Sequence, residues 1–241
     1  MAWSVNNILY PFSVYSLMRL AISDEVKAAF PGLLLAYFDI RGMQIGAMGE
    51  KVTETLKEIS EKTRASLTIE NVKDRSDFRA YRDFFWRLGV DPTKTRPASE
   101  ALVRRILKGS SMPRINDFVD SYNIASIETG VPIAAFDVAA LEDDITLRFS
   151  GEGEGFYGIG MEESRVVDPH ILVMSSGDEL VAVYPYRDAD ASRITTDTRD
   201  AVLISCGVPS IELDALLLAA VKARDYVIAS CGGHPSKIGY V

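Results

Sequence analysis

The order of the hydrophobic patterns along the chain constrains its fold more than any other feature of the sequence. Between residues 50 and 129 apolar residues recur at helical spacing, whereas short apolar runs bounded by Gly, Asp and Ser predominate from residue 145 onward. The predicted helices cover residues 50–67, 76–88, 99–108, 116–129 and 212–224. The predicted strands cover residues 33–40, 145–149, 171–174, 180–186 and 201–206, and a further apolar run covers residues 226–231. Helices that precede most of the strands indicate an α+β fold, a three-layer domain with a mixed sheet, rather than a regular βαβ repeat.

The length and apolar content predict one compact unit. With 241 residues of which 47% are apolar, the chain can bury a single large core. We expect an N-terminal α/β segment, residues 1–75, packed on a core of residues 76–241. Residues 8–22 are too few for a membrane span and contain Pro11 and Arg19, and no basic leader precedes them. Together with two cysteines, Cys206 and Cys231, that we expect to be buried thiols, this predicts a cytoplasmic protein without membrane contact.

Charge is distributed unevenly along the chain. The net charge of −8 argues against a surface built for indiscriminate nucleic-acid binding. Residues 94–114 nevertheless hold six basic side chains against one acid, and residues 128–168 hold ten acids against two arginines. The pattern predicts one basic and one acidic face.

The sequence does not support a phosphate-binding loop, a metal site or a serine-nucleophile motif. The glycine-rich run at residues 151–160 contains Glu152 and Glu154, which would repel a phosphate, so we interpret it as a loop. Neither His170 nor His234 has ligand partners at metal-binding spacing, and no Gly-x-Ser-x-Gly motif is present. We therefore expect neither a metal nor another cofactor.

The densest group of polar residues lies at the start of the predicted helix 116–129. Asn116, Asp120 and Asn123 are three to four positions apart and share one helix face, which offers amide and carboxylate groups in one patch. Such a patch could hold an amino group, a ribose hydroxyl and a water. The alternative is that Asn116 caps the helix and the other two are solvated.

The stretch around this patch resembles a known family, the editing module of the phenylalanyl-tRNA synthetase beta subunit. The matching residues are Pro113, Ile115, Asn116, Val119, Asp120, Asn123, Glu128, Gly130, Pro132, Phe136 and Asp137. Residues 145–152 and 187–198 are similar to later motifs of the family, so the resemblance covers about residues 80–215. It implies the fold of that editing domain. It also implies a protein that binds the aminoacylated 3′ end of a tRNA and hydrolyses misacylated aminoacyl-tRNA in trans.

The resemblance also implies a set of site residues. The implied catalytic residues are Asn116, Asp120, Asn123 and Glu128. Phosphate contacts are expected from Arg96, Arg104, Arg105, Lys108 and Arg114, and the pocket is expected to include Pro132, Ala134 and Ser205. Ala134 stands where the synthetase module has a histidine, and residues 203–205 stand where it tends to have an acid.

These departures leave two other roles open. One is a non-catalytic tRNA-binding or amino-acid-binding module, and the other is an unrelated small-molecule pocket on the same fold. The chain has no room for a catalytic synthetase domain, so we do not expect it to aminoacylate tRNA by itself. The oligomeric state is left open, a homo-oligomer included.

Overall fold

The computed structural model describes residues 18–47 and 49–241, so most of the apolar segment 8–22 lies outside the described residues. The helices are α1 (Asp24–Ala29), α2 (Glu50–Ser66), α3 (Ser76–Arg87), α4 (Ala98–Leu107), α5 (Asp117–Thr129) and α6 (Leu213–Cys231). The first six strands are β1 (Leu20–Ile22), β2 (Leu35–Arg41), β3 (Ile133–Asp137), β4 (Ile145–Phe149), β5 (Gly155–Phe156) and β6 (Arg165–Val166). The others are β7 (Leu172–Ser176), β8 (Glu179–Val183), β9 (Arg187–Asp188), β10 (Ala201–Cys206), β11 (His234–Pro235) and β12 (Gly239–Tyr240).

The strands form two larger sheets and one short ribbon. Sheet one has the order β1-β4-β7-β8-β9, in which only the β1–β4 pair is parallel. Sheet two has the order β11-β2-β10-β3, with β12 also paired to β2, and all its pairs are antiparallel. The ribbon joins β5 to β6. The α+β, mixed-sheet prediction is therefore confirmed.

Strand β10 lies at the centre of sheet two and is buried along its whole length. Both faces of the sheet are therefore covered. Helix α6 contacts β10 and β2, and helix α5 contacts β3 and α6. Residues of sheet one, such as Leu147 and Met174, belong to the same apolar core as β10.

Two buried tyrosines hold the chain at the end of β10. The Tyr81 hydroxyl on α3 donates to the Cys206 carbonyl oxygen at 2.7 Å, and the Tyr184 hydroxyl after β8 donates to the Gly207 carbonyl oxygen. Both side chains are almost fully buried. Burial is the main cause that raises the pKa of each hydroxyl, so both stay neutral donors.

The helices form where capping and apolar periodicity agree. Asn116 caps α5 by accepting a hydrogen bond from the Val119 N–H at 2.9 Å, and Gly130 ends this helix in the left-handed conformation with a φ of 80°. On α3, the aromatic residues Phe78, Tyr81, Phe84 and Phe85 are buried in the core. The predicted bounds of α2 and α4 differ from the structure by one residue.

Several elements depart from the sequence prediction. Residues 226–231 are not a separate apolar segment but the last turns of α6, because Val227 and Cys231 continue its buried face. A short apolar run cannot be assigned to helix or strand by periodicity alone. The sequence does not predict strand β3, because its five residues include four buried apolar side chains in a row and therefore show no alternation. Part of the glycine-rich loop pairs as β5 with β6.

In the described part of the chain, no helix combines the length and apolarity required to cross a bilayer.

The turn after β10 accepts only glycine. A Cβ at Gly207 would lie 2.2 Å from the Leu34 carbonyl oxygen and 2.8 Å from a Leu216 methyl group. We therefore expect Gly207→Ala to lower the free energy of unfolding by about 1–3 kcal/mol, because the backbone must shift. At Gly151 the nearest atom would be 3.9 Å away, so Gly151→Ala should stay within about 0.5 kcal/mol of the parent. Urea unfolding of both variants checks this, and equal losses would contradict it.

Candidate functional site

The polar patch predicted at the start of α5 exists, but much of it bonds to other parts of the protein. Asn116 uses its Oδ1 to cap the helix, and its Nδ2 donates to the Ile194 carbonyl oxygen at 3.4 Å. Asp117, one residue later, accepts from the Gly49 N–H at 2.6 Å and so fastens the segment that leads into α2. Asn116 and Asp117 are both buried. The start of α5 therefore joins three segments that are distant in sequence.

Asp120 forms an ion pair with Arg114 inside this patch. The Arg114 Nε donates to the Asp120 carboxylate at 2.6 Å, and the Ile115 N–H donates to its other oxygen at 3.1 Å. Asp120 is only 3% exposed and Arg114 is 20% exposed. Arg114 also donates to the Thr53 hydroxyl at 3.0 Å, so its guanidinium is directed at the protein rather than at solvent.

Glu128 lies at the other end of α5 and joins it to α6. Its carboxylate accepts hydrogen bonds from Lys222 Nζ at 2.8 Å and from the Tyr226 hydroxyl at 2.7 Å. Burial acts to raise the pKa of Glu128, but the two hydrogen bonds together with the charges of Lys222 and Lys62 outweigh it, and the net shift is downward. Glu128 is therefore an ionised link between two helices. Asn123, the fourth implied catalytic residue, is half-buried on the same helix.

A small cavity with an open mouth lies between the two sheets, and none of the four implied catalytic residues lines it. This inner cavity has a volume of about 70 Å³. Sheet two and the residue before β3 contribute Pro132, Ala134 and Cys206 to its wall, and sheet one contributes Met174 and Ala182. Two of the three predicted pocket residues, Pro132 and Ala134, thus line it. Ser205 does not, because neighbouring residues of a strand face opposite sides of the sheet and Cys206 is the one that faces the cavity.

Asp188 supplies a carboxyl group to the inner cavity, although no local pattern in the sequence marks it. It pairs with Ala182 across β9 and β8, and residues opposite each other in an antiparallel pair point to the same face. The Ala135 N–H hydrogen-bonds to its carboxylate. Burial raises the pKa of Asp188 to about 7, while the hydrogen bond from Ala135 acts in the opposite direction. The cavity therefore contains an acid that titrates near neutral pH.

The charge of Asp188 contributes to the pKa shifts of two other residues, Tyr122 and Cys206. Burial, followed by the charges of Asp188 and Asp120, raises the pKa of Tyr122 on α5. Burial and the charge of Asp188 likewise raise the pKa of the Cys206 thiol, which remains a neutral thiol. A charge of the polar patch and a charge of the cavity thus both raise the pKa of Tyr122.

An open groove adjoins the inner cavity. This outer groove has a volume of about 640 Å³, and it shares Val183, Tyr186 and Arg187 with the cavity wall. Arg187 is exposed and donates to the Ile159 carbonyl oxygen at 3.1 Å. Three acids, Glu162, Glu163 and Asp168, also line the groove. The mouth of the cavity therefore carries both signs of charge, with Arg187 directly at the entrance.

The basic residues predicted to contact phosphates divide into two groups. Arg104 pairs with the fully buried Glu100 of the same helix at 2.6 Å, and Arg82 of α3 binds the same carboxylate at 3.2 Å, so this buried carboxylate joins α4 to α3. Arg114 is the partner of Asp120 described above. Arg96, Arg105 and Lys108 are exposed. Helix α4 begins at the cavity, since its first residue, Ala98, contributes to the cavity wall.

Among residues 18–47 and 49–241, no group of three or more His, Cys, Asp or Glu side chains is arranged to hold a metal ion.

Comparison with known proteins identifies the family. A model of the B3/4 domain matches residues 80–216, which is more than half of the chain. The chain belongs to the B3/4 domain family. This confirms the resemblance inferred from residues 113–137, and the matched region nearly coincides with the predicted coverage.

Relatives of this B3/4 protein include beta subunits of phenylalanine–tRNA ligase. The subunit of Syntrophus aciditrophicus is 35% identical over 104 residues, covering 43% of this chain and 13% of the relative. That of Clostridium tetani is 27% identical over 194 residues, covering 79% of this chain and 24% of the relative. The chain thus spans a quarter or less of the length of these two relatives.

A solved structure extends the similarity to almost the whole chain. An N-terminal fragment of the phenylalanyl-tRNA synthetase beta subunit from Pyrococcus horikoshii aligns with a TM-score of 0.50 at 14% identity. The alignment covers 95% of this chain and 53% of the fragment. At this identity the match shows the fold alone.

The raised pKa of Asp188 predicts how the free energy of unfolding changes with pH. An aspartate ionises near pH 3.9 in an unfolded chain, whereas this one ionises near 7 in the folded protein. Between these values the folded state binds more protons, so Asp188 lowers stability progressively as the pH rises from about 4 to 7. Asp188→Asn should therefore gain stability relative to the parent over this range and keep a constant advantage above it.

Urea unfolding at a series of pH values measures this difference. Carbon-13 NMR of the side-chain carboxyl provides the direct check, because the Asp188 resonance should titrate with a midpoint near 7 and be absent from Asp188→Asn. A midpoint near 4 would contradict the assignment.

Proposed function

We propose that this B3/4 protein binds aminoacylated tRNA and hydrolyses misacylated aminoacyl-tRNA in trans. The proposal is supported by the family and by relatives described as phenylalanine–tRNA ligase beta subunits. It is carried by one observation, the inner cavity whose wall combines Pro132 and Ala134 of the family motif with the carboxyl of Asp188.

The proposed reaction is hydrolysis of an ester. A water oxygen bonds to the carbonyl carbon of the aminoacyl group, the bond from that carbon to the tRNA ribose oxygen breaks, and the ribose oxygen takes up a proton. The products are a free amino acid and a tRNA with a free 3′ end. Such an activated ester requires a positioned water and donors toward the developing oxyanion, and a ribose hydroxyl of the tRNA can assist.

We propose different roles for the four predicted catalytic residues: three position the helix, and one contacts the substrate. Asn116, Asp120 and Glu128 hold α5 to neighbouring segments, so in this proposal they keep the cavity wall in place. Asn123 is half-buried on the same helix and is the member of the set for which we propose contact with substrate. The two wall residues Pro132 and Ala134 would contact the aminoacyl group.

Exposed cations suit the approach of RNA. Arg96 lies two residues before the start of α4 at the cavity, and Arg187 lies at its entrance. Arg105 and Lys108 lie at the other end of α4, roughly 10–15 Å away at 1.5 Å per residue. We propose that these four side chains contact phosphates of the acceptor end, whereas Arg104 and Arg114 stabilise the fold.

A second candidate is a binding module that does not hydrolyse its ligand. It is favoured by Ala134, which stands where the synthetase module has a histidine, and by the involvement of Asn116, Asp120 and Glu128 in bonds within the protein. In both candidates the expected partner is the aminoacylated 3′ end of a tRNA, encountered in the cytoplasm.

A panel of mischarged tRNAs separates the two candidates. We expect release of free amino acid from at least one of them, at a rate above the spontaneous rate and proportional to protein concentration. Asn123→Ala should reduce this release about ten-fold or more while leaving the urea midpoint near that of the parent, because the side chain is half-buried. Binding of tRNA without release of any amino acid would instead support the module.

Salt dependence tests the proposed RNA surface. Removal of one cation that binds a phosphate lowers the slope of log Kd against log salt by about 0.7–0.9, so Arg105→Gln with Lys108→Gln should lower it by about 1.4–1.8. Lys27→Gln with Lys237→Gln removes two exposed charges elsewhere and serves as the control. Identical slopes for the two double variants would rule out this surface.

A further inference from the structure

The inner cavity is too small for an aromatic side chain. An engineered protein cavity of about 150 Å³ binds benzene, whereas the inner cavity has about half that volume, about 70 Å³. Phenylalanine and tyrosine are larger than benzene. The space accommodates a hydrogen, a methyl group or a hydroxymethyl group.

The wall of the cavity is not free to expand. Tyr184 is 1% exposed, and its hydroxyl is held by the Gly207 carbonyl oxygen. Met174 is fully buried in the middle of sheet one, where β7 pairs with β4 and β8. Cys206 lies on the central strand of sheet two, and the carbonyl oxygen of this residue accepts the Tyr81 hydroxyl. A larger side chain would have to displace groups that are fastened on both sheets.

The polar group in this apolar cavity is suited to a cation. Asp188 presents a carboxylate next to Ala182, and the Ala135 N–H is directed at the same carboxylate. The same wall includes the apolar residues Ala134 and Val183, and the cation Arg187 lies where the cavity meets the outer groove. An α-ammonium group is the charged part of an aminoacyl ester, and a hydrogen-bonded ammonium would compensate the carboxylate at this position.

We propose that the inner cavity selects aminoacyl esters with small side chains, of the size of glycine, alanine or serine, and that Asp188 binds their α-ammonium group. The proposal rests on the proposed function and specifies its substrate class. Asp188 is a binding residue here, since it contacts the substrate directly. The hydrolysis remains the one described above, with water as the only co-reactant.

A series of aminoacyl esters with side chains of increasing size tests the proposed size limit. Glycyl-, alanyl- and seryl-tRNA should be hydrolysed with kcat/KM at least ten-fold above that for leucyl-, phenylalanyl- and tyrosyl-tRNA, roughly the discrimination that a few methylene groups give. Hydrolysis that is fastest for phenylalanyl- or tyrosyl-tRNA would overturn the size limit and leave the proposed function standing.

A comparison of alanyl-tRNA with lactyl-tRNA tests the proposed binding of the α-ammonium group by Asp188. The two esters have the same methyl side chain, but lactyl-tRNA carries a hydroxyl in place of the ammonium. The parent should prefer the alanyl ester by roughly ten- to a hundred-fold, mostly through KM, and Asp188→Asn should lose this preference. An equal preference in both proteins would overturn the role of Asp188.

A binding assay keeps the two proposals distinguishable. The stable analogue 3′-alanylamino-3′-deoxyadenosine has an amide in place of the ester and can be titrated by calorimetry with the full chain. Binding that is at least ten-fold tighter than that of the phenylalanyl analogue, and that weakens in Asp188→Asn, supports the inference even where no ester is hydrolysed. Equal binding of both analogues overturns it. Thermal unfolding of Asp188→Asn under the same conditions shows that the variant is folded.

Discussion

Strand β10 is the element on which the rest of the structure depends. It pairs with β2 on one side and β3 on the other, so a segment that precedes α2–α5 and a segment that follows them are joined by one buried strand. Because its N–H and C=O groups bond within the sheet, all six residues can be buried without leaving backbone groups unpaired. The two tyrosine hydroxyls then fix the chain where it leaves the sheet. The wall of the inner cavity is built on this rigid end of the strand.

Helix α5 shows how a polar motif can serve structure and site together. Its first turn receives bonds from the segment before α2, and its last turn is linked to α6 through Glu128. The carboxylates of Asp117 and Glu128 both have hydrogen-bond partners. A buried polar group left without a partner would cost about 1–3 kcal/mol. The result is a helix whose position is strongly determined. The residue that follows its C-terminal glycine and valine, Pro132, enters the cavity wall at a defined place.

The cavity and the cationic surface meet at the start of α4. Glu100 holds this helix by accepting Arg82 and Arg104, and the Ser99 hydroxyl donates to the Gly130 carbonyl oxygen at 2.7 Å. Helix α4 is thereby attached to both α3 and the end of α5. The exposed cations on and before it have a fixed position relative to the cavity, as the proposed binding of an aminoacylated RNA end requires.

Sequence and tertiary structure contributed different parts of this picture. The helical spacing of apolar residues set the positions of α2 and α4 to within one residue, and the ordered motif at residues 113–137 was sufficient to indicate the family. Local patterns suffice there because helix periodicity and capping act within a few residues. The motif also placed Pro132 and Ala134 together, since both belong to one short segment.

What only the tertiary structure decided is which polar groups face solvent, protein or cavity. Nothing local distinguishes Asp188 from Asp190, yet the pairing of β9 with β8 turns the first toward the cavity. Likewise Arg104 and Arg105 are adjacent, but only Arg104 reaches the buried Glu100. These roles come from contacts between segments far apart in the chain, so the spacing of residues along the sequence does not determine them.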